Sequence, residues 1–263
     1  MRELQVQVVT VHGDVDPDGQ AYARRKIGQL AKLAPGPVLS ARVKLDRAPD
    51  PALERPALAQ ATLDVNGRLI RARVAARRLD EAVDLLEARL RHRLEHLASH
   101  RRARHRRAAT GEHGEWRHGD LAAQRPAWYP RPVAERAVVR HKRLALAPMS
   151  LEEAVLDLEL LDYDFYLFVD ATTGEDALVW RQPDGTVGVA VAGGRRLDTT
   201  GCTAPVQLAP APPRRTLGEA TGRLDLTGEP FVFFVDAVSG RGAVAYRRYD
   251  GHYGLITAAE SPQ

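Results

Sequence analysis

The chain matches itself at an offset of 66 residues. FYLFVDATTG (165–174) returns as FVFFVDAVSG (231–240), and the alignment runs from Ser150/Thr216 to Ala190/Ile256 without a gap. Sixteen of those 41 positions are identical, among them Leu151, Phe165, Phe168, Asp170, Gly185 and Gly188. A repeat of this length requires two copies of one small domain. A unit of about 55 residues buries little surface by itself, so each copy needs something to pack against.

Each copy reads as a helix followed by a three-stranded meander. SLEEAVLDLELL (150–161) has Ser150 at the cap and Glu153 at the capping-box position. DFYLFVD and DALVWRQ flank the turn ATTGE, and PDGTVGVAV adds a third strand. In copy two the strands are PFVFFVD, GAVAYRR and HYGLITA. AVVRHKRLAL (137–146) forms a lead strand. Its counterpart, APVQLAPAP (204–212), carries prolines that cannot donate to a ladder. The helix of copy two, TLGEATGRLDLT, has two internal glycines and is the weaker one. Alternation puts Phe165, Leu167 and Val169 on one sheet face, and Phe231, Phe233 and Val235 on its equivalent. These six form the expected repeat-pairing interface. Two copies on one chain meet at high effective concentration, so pairing within the chain, as a pseudo-two-fold dimer, is expected.

Ahead of the repeats the composition changes. Residues 1–107 hold 22 Lys+Arg against 13 Asp+Glu, a balance of +9; the remainder hold 16 against 21, a balance of −5. Such a split points to a basic module for a polyanion joined to a module with another task. ELQVQVVT (3–10) alternates as a strand. Residues 14–34 place Ala23, Ile27, Leu30 and Ala34 at helical spacing behind Asp16 and Pro17. VLSARVKLD (38–46) alternates strictly, with Leu39, Ala41, Val43 and Leu45 on one face. Asn66-Gly67 centres a hairpin over 58–76. A long helix over 78–107 carries the stripe Leu79, Val83, Leu86, Leu90, Leu94 and Leu97, and its last turns are too polar to pack.

The fold class is therefore α+β. A β-α-β-β-β-α domain (1–107), with both helices on one side of its sheet, precedes a Gly/Pro-rich linker (108–136). Repeat one (137–195) and repeat two (196–263) follow. The WYPRP at 128–132 is either part of the tether or a docking segment.

The basic residues fall in two groups. Arg24, Arg25, Lys26, Lys32, Arg89, His92 and Arg93 lie on the helices; Arg42, Lys44, Arg71 and Arg73 share the open sheet face. Such a surface suits RNA phosphates read mostly without regard to sequence. His92, His96 and His100 stack at i, i+4, i+8, a spacing open to zinc. Seven arginines between 91 and 107 oppose a dication, and no metal site is assigned.

Nothing points to catalysis. There is no Gly-rich phosphate loop, Cys-x-x-Cys, His-Glu-x-x-His or Gly-x-Ser-x-Gly, and no cofactor is expected. The recurring pairs Asp170/Asp236 and Asp184/Asp250 precede turns, where aspartate caps the backbone. Cys202 is the only cysteine, which excludes an intrachain disulfide and suits a reducing cytoplasm. No apolar run approaches a membrane span of about 20 residues.

YARRKIGQL (22–30), DVNGRLIRARV (64–74) and EAVDLLEARLRHRL (81–94) resemble the helix, hairpin and second helix of the ribosome hibernation-promoting factor family, also called the ribosome-associated inhibitor family. Residues 138–185, with Val-Arg-x-Lys, Pro-Met-Ser-x-Glu-Glu-Ala and an aromatic strand, resemble the C-terminal domain of its long form. The tandem arrangement resembles the actinobacterial, mycobacterial-type variant linked to dormancy. The resemblance implies a non-enzymatic factor. It would sit in the mRNA and tRNA path of the 30S subunit, contact rRNA, inhibit translation and stabilise the inactive 70S ribosome under stress. Arg25, Lys26 and Arg89 carry over as contacts, whereas Gln29 and Glu95 stand where basic residues are usual. In that family the C-terminal domain homodimerises and pairs ribosomes. Copies paired within one chain would fill that surface, so a monomer without 100S particles is expected. Two alternatives remain: a free RNA-binding translational regulator, and an interaction scaffold acting through the tandem module.

Overall fold

The computed structural model describes residues 4–11, 15–48, 54–110, 129–199, 202 and 204–259. They belong to two compact units, an N-terminal one and a C-terminal one that holds both copies of the repeat except Glu159–Asp162, which group with the first.

In the N-terminal unit, β1 (Val6–Thr10) leads to α1 (Pro17–Gln29), prolonged by a 3-10 turn over Leu30–Lys32. Asp16 caps α1 by accepting from the Gly19 amide at 2.6 Å, with Pro17 at the first helical position. β2 (Val38–Arg47), β3 (Ala57–Val65) and β4 (Arg68–Ala76) follow, and α2 (Leu79–Thr110) closes the unit. The sheet order is β1-β2-β3-β4: β1 is parallel to β2, and the rest is an antiparallel meander. Asn66 and Gly67 both have positive φ, as a two-residue type I′ connection demands. Alternate residues of the strands, such as Val43, Leu63 and Ile70, are buried, as are Ile27, Leu30 and, on α2, Leu86, Leu90 and Leu94; α1 covers β1 and β2, and α2 covers β3 and β4. This is the expected sheet with both helices on one face.

One residue departs from the alternation. Leu39 belongs to the core face by counting, yet it is 61% exposed. The β2–β3 register shifts between Val38 and Ser40, and this irregularity turns Leu39 to solvent.

In the C-terminal unit, β5 (Val138–Leu144) and β6 (Pro148–Met149) precede α3 (Leu151–Leu160). β7 (Phe165–Asp170), β8 (Asp176–Arg181) and β9 (Val187–Val191) form the first meander. β10 (Val206–Leu208), β11 (Arg214–Arg215), α4 (Leu217–Thr227), β12 (Phe231–Asp236), β13 (Gly242–Arg247) and β14 (Tyr253–Ala258) repeat that plan. Both helices start with the expected capping box, Ser150/Glu153 and Thr216/Glu219.

The lead strands do not join the sheets of their own copies. β5 lies parallel to β14, at the edge of the second sheet, and β10 lies parallel to β9, at the edge of the first. Each five-stranded sheet is thus completed by a strand from the other copy. The short β6 and β11 occupy the opposite edges, beside β7 and β12, leaving the β9 and β14 edges to the exchanged strands.

The end of the expected linker is also packed. The Tyr129 amide donates to the Tyr249 carbonyl at 2.9 Å, and the Arg131 guanidinium to the Asp250 carbonyl at 3.2 Å. Arg136 pairs with Asp225 at 2.6 Å. Gly251 sits with φ +80, and a side chain there would meet the Tyr129 carbonyl at 2.7 Å. The chain therefore crosses this turn in direct contact with it. The rest of the linker, 111–128, lies outside the described residues.

Candidate nucleic-acid interface and paired repeat surface

The strand registers place the four basic residues of the open sheet face in two rows. In one, Gln7, Arg42, Thr62 and Arg71 stand side by side across β1, β2, β3 and β4. In the next, Val9, Lys44, Gln60 and Arg73 do so. A neutral polar residue on β3 separates each pair of cations, so no like charges face each other on adjacent strands. Strand spacing sets the cations of a row about 10 Å apart, and the two rows about 7 Å apart. Arg42, Lys44 and Arg73 are exposed, and Arg71 is half-buried. The result is a regular grid of positive charge on the open sheet face.

A second basic cluster lies where α1 meets α2. The Lys26 ammonium pairs with Asp84 at 2.8 Å, and the Tyr22 hydroxyl donates to the same carboxylate at 2.6 Å. Lys26 is held above its ordinary pKa by its bond to Asp84, and Asp84 below its own by Lys26. The Arg25 guanidinium and the Lys26 ammonium lie 5.2 and 5.4 Å from the Tyr22 ring centroid. Arg24, Arg25 and Lys32 are exposed.

Arg89 and Arg93 differ from the expectation of an exposed, RNA-facing helix surface. Both are buried, and both donate from α2 to carbonyls of the edge strand β4, Arg89 to Arg73 and Arg93 to Arg71. They flank the leucine stripe at 86, 90 and 94, so their stems run along the core before the heads reach the strand. Arg93 also pairs with Asp162 at 2.6 Å, so its charge is compensated. His92 is half-buried on the same helix. Among the described residues no group of three His, Cys, Asp or Glu side chains is placed to hold a metal.

In the C-terminal unit each sheet has two apolar faces. One packs on its own helix: Phe168, Val179 and Val189 against Leu151, Ala154 and Leu158 in copy one, and Phe234, Ala245 and Leu255 against Ala220 and Leu224 in copy two. The other faces meet each other through Leu167, Leu178 and Val244, with Phe165, Trp180, Phe231 and Phe233 packed around them. The contacts obey a two-fold relation. The ring centroid of Phe165 lies 4.7 Å from that of Phe231, its own equivalent at +66. Phe165 also meets Tyr246 at 5.8 Å, and the mirrored pair Phe231 and Trp180 lies at 6.1 Å. Trp180 covers Gly188 and Tyr246 covers Gly254, where no side chain would fit beneath the rings. Val169 and Val235 continue these faces, half-buried, opposite Asp176 and Gly242.

The recurring aspartates serve their turns. Asp170 accepts from the Thr173 amide and Asp236 from the Ser239 amide, while Asp184 and Asp250 accept from the amides of Thr186 and His252. Cys202 is half-buried, packed against the first repeat core. Sequence reasoning missed the contribution of Asp176 and Arg241, described below. They sit at positions where the two copies differ, and the repeat was recognised through positions where they agree.

Comparison with known proteins agrees with this layout. The family model described as Sigma 54 modulation protein / S30EA ribosomal protein matches residues 6–102. The model described as Sigma 54 modulation/S30EA ribosomal protein C terminus matches twice, at 133–189 and 210–255. The ribosome hibernation promotion factor of Lactococcus lactis is 32% identical over 174 residues, covering 65% of this chain and 89% of that protein. The dormancy associated translation inhibitor of Mycobacterium tuberculosis is 37% identical over 152 residues, covering 49% of this chain; the match spans only 55% of that relative's length. Among solved structures, the Thermus thermophilus Protein Y N-terminal domain aligns over 36% of this chain and 99% of its own, at 20% identity and a TM-score of 0.30. With the L. lactis protein matched over nearly its whole length and both S30EA models present, one of them twice, the chain belongs to the S30EA family of ribosome hibernation promotion factors.

Proposed function

We propose that this chain is a non-catalytic, cytoplasmic ribosome hibernation factor. Its N-terminal unit binds rRNA of the 30S subunit in the mRNA and tRNA path. It inhibits translation and stabilises the inactive 70S ribosome under stress or dormancy. The observation that carries this reading is the two-row grid of Arg42, Lys44, Arg71 and Arg73 on a domain matched by the S30EA model. An array of cations interleaved with neutral polar side chains suits a path of phosphates and reads no base sequence. Arg25 and Lys26 add exposed and half-exposed charge at the α1–α2 surface. Arg89 and Arg93 are buried against β4 and serve to hold α2 to the edge of the grid. The names of the matched relatives, a hibernation promotion factor and a translation inhibitor, support the same direction.

The C-terminal unit sets the kind of particle formed. The apolar face of each copy is occupied by the other copy of the same chain. A monomer that leaves ribosomes as single 70S particles follows, without 100S pairs. Purified ribosomes mixed with the protein and run on a sucrose gradient test both parts. Co-migration with 70S and no heavier peak is expected. A robust paired-ribosome peak would refute the monomer assignment, and absence from all ribosomal fractions would refute ribosome binding.

A further inference from the structure

In a two-fold pairing, a residue on the axis meets its own equivalent. Phe165/Phe231 is one such pair; Asp176/Gly242 is another, because 176 and 242 are related by the repeat offset. The aromatic pair is the same residue in both copies and the rings around it are similar, Trp180 in one and Tyr246 in the other. The second pair is not alike. Asp176 is buried, and its carboxylate accepts from the Gly242 amide at 2.7 Å. It also takes two bonds from the Arg241 guanidinium, at 2.7 and 2.8 Å. A Cβ on Gly242 would stand 2.7 Å from the Asp176 Cβ, so the space holds one side chain and not two. The preceding positions also differ in charge: Glu175 in copy one and Arg241 in copy two. Glu175 turns back to the Gly193 amide and to Arg195 of its own copy.

We infer that Asp176, Arg241 and Gly242 form a specificity lock that admits only a copy-two face against a copy-one face. Pairing copy one with another copy one would force two Asp176 side chains into the volume of one. It would also bring two Asp176 carboxylates together with no Arg241 between them, since each Glu175 turns away to Arg195 of its own copy. Pairing copy two with another copy two would leave the axis empty and bring two Arg241 side chains together without a carboxylate. The first places unpaired carboxylates in a buried site, and the second leaves two half-exposed arginines without a partner. The discrimination is steric and electrostatic at one end of the axis, while the aromatic end accepts either kind of face. The partner this surface fits is therefore the opposite copy, and the partner it rejects is a second copy of its own kind. The inference deepens the monomer part of the proposed function and does not depend on ribosome binding.

Four substitutions in the full chain test it, with no ribosome in the assay. Arg241→Glu with Gly242→Asp makes both faces acidic. Glu175→Arg with Asp176→Gly makes both faces of the Arg-Gly kind. Each double variant is expected to lower the melting temperature of the C-terminal unit by roughly 5–10 °C. Co-refolded at equal concentration, the two are expected to form a two-chain complex by light scattering, which neither forms alone. Combining all four substitutions exchanges the two faces within one chain. That chain is expected to be monomeric and to melt above both double variants, a result that remains readable even if a double variant is insoluble. Wild-type melting of both double variants would overturn the inference, as would a four-substitution chain no more stable than either of them.

Discussion

Phe165 and Phe231 occupy the same position in successive copies of the repeat, and their ring centroids lie 4.7 Å apart. Each ring also touches the aromatic residue that its equivalent touches in mirror image. Replacing either with Ala removes a ring from a packed cluster and is expected to cost about 2–4 kcal/mol. The two single variants should be destabilised to a similar degree. The double variant should fall short of their sum by about 1 kcal/mol, because the second loss no longer breaks the ring pair. Denaturant unfolding of the four chains measures this, and strict additivity would contradict the direct contact.

Acid should weaken the C-terminal unit. The Ser239 hydroxyl and amide hold the Asp236 carboxyl below its ordinary range; Arg248 does so for Asp250, and the Thr186 amide for Asp184. A carboxyl depressed in the fold binds its proton less readily there than in the unfolded chain. Its contribution is complete above the ordinary carboxylate range and is lost as pH falls through the folded value. Melting temperature should therefore be nearly level from about pH 8 to 5 and fall below about pH 4. Asp236→Asn should flatten that acid limb, while Ser239→Ala should lower stability at neutral pH.

Charge reversal on the open sheet face should act on binding and spare the fold. Arg42 and Lys44 are exposed on β2, with Thr62 and Gln60 beside them on β3. Arg42→Glu with Lys44→Glu should leave melting unchanged and abolish co-sedimentation with ribosomes. The milder Arg42→Ala should reduce the slope of log affinity against log salt by about 1 for each phosphate that the arginine had neutralised. Asp84→Asn should act oppositely, since Asp84 neutralises Lys26. Its removal should tighten binding several-fold if this surface touches RNA.

The β3–β4 turn offers a test of backbone geometry alone. Gly67 has φ +86 and open space around it, so a methyl group meets no atom within 4 Å. Gly67→Ala should cost about 1–2 kcal/mol through the left-handed backbone, and ribosome binding should persist in protein that remains folded. A neutral or stabilising effect would show that the turn changes type.

Much of this architecture was legible because it is local. The Asn66-Gly67 turn, the Asp16 cap, the capping boxes at Ser150 and Thr216 and the leucine stripe of α2 each follow from residues within one or two turns of one another. The open-face cations followed from period two, which fails where a register shift expels Leu39 and at the end of β4, where Val74, Ala75 and Ala76 are all buried. Exchange of the lead strands was not legible, because their sequences suit a strand in either sheet. Arg89 and Arg93 illustrate the other limit. Arginine beside a leucine stripe reads as exposed, yet an edge strand with open carbonyls draws its head inward.

Exchange of the lead strands also orders the birth of this protein. His141 on β5 and Thr257 on β14 meet at 2.9 Å across 116 residues of chain. As synthesis proceeds, β5 emerges long before the strand it must lie beside, and at a typical rate of about 5–20 residues per second it waits several seconds or more. Copy one needs β10, which follows β9 closely, so its sheet can close early. The second sheet cannot close until β14 has been made. A factor whose proposed target is the ribosome would acquire its clasped C-terminal form only at the end of its own synthesis.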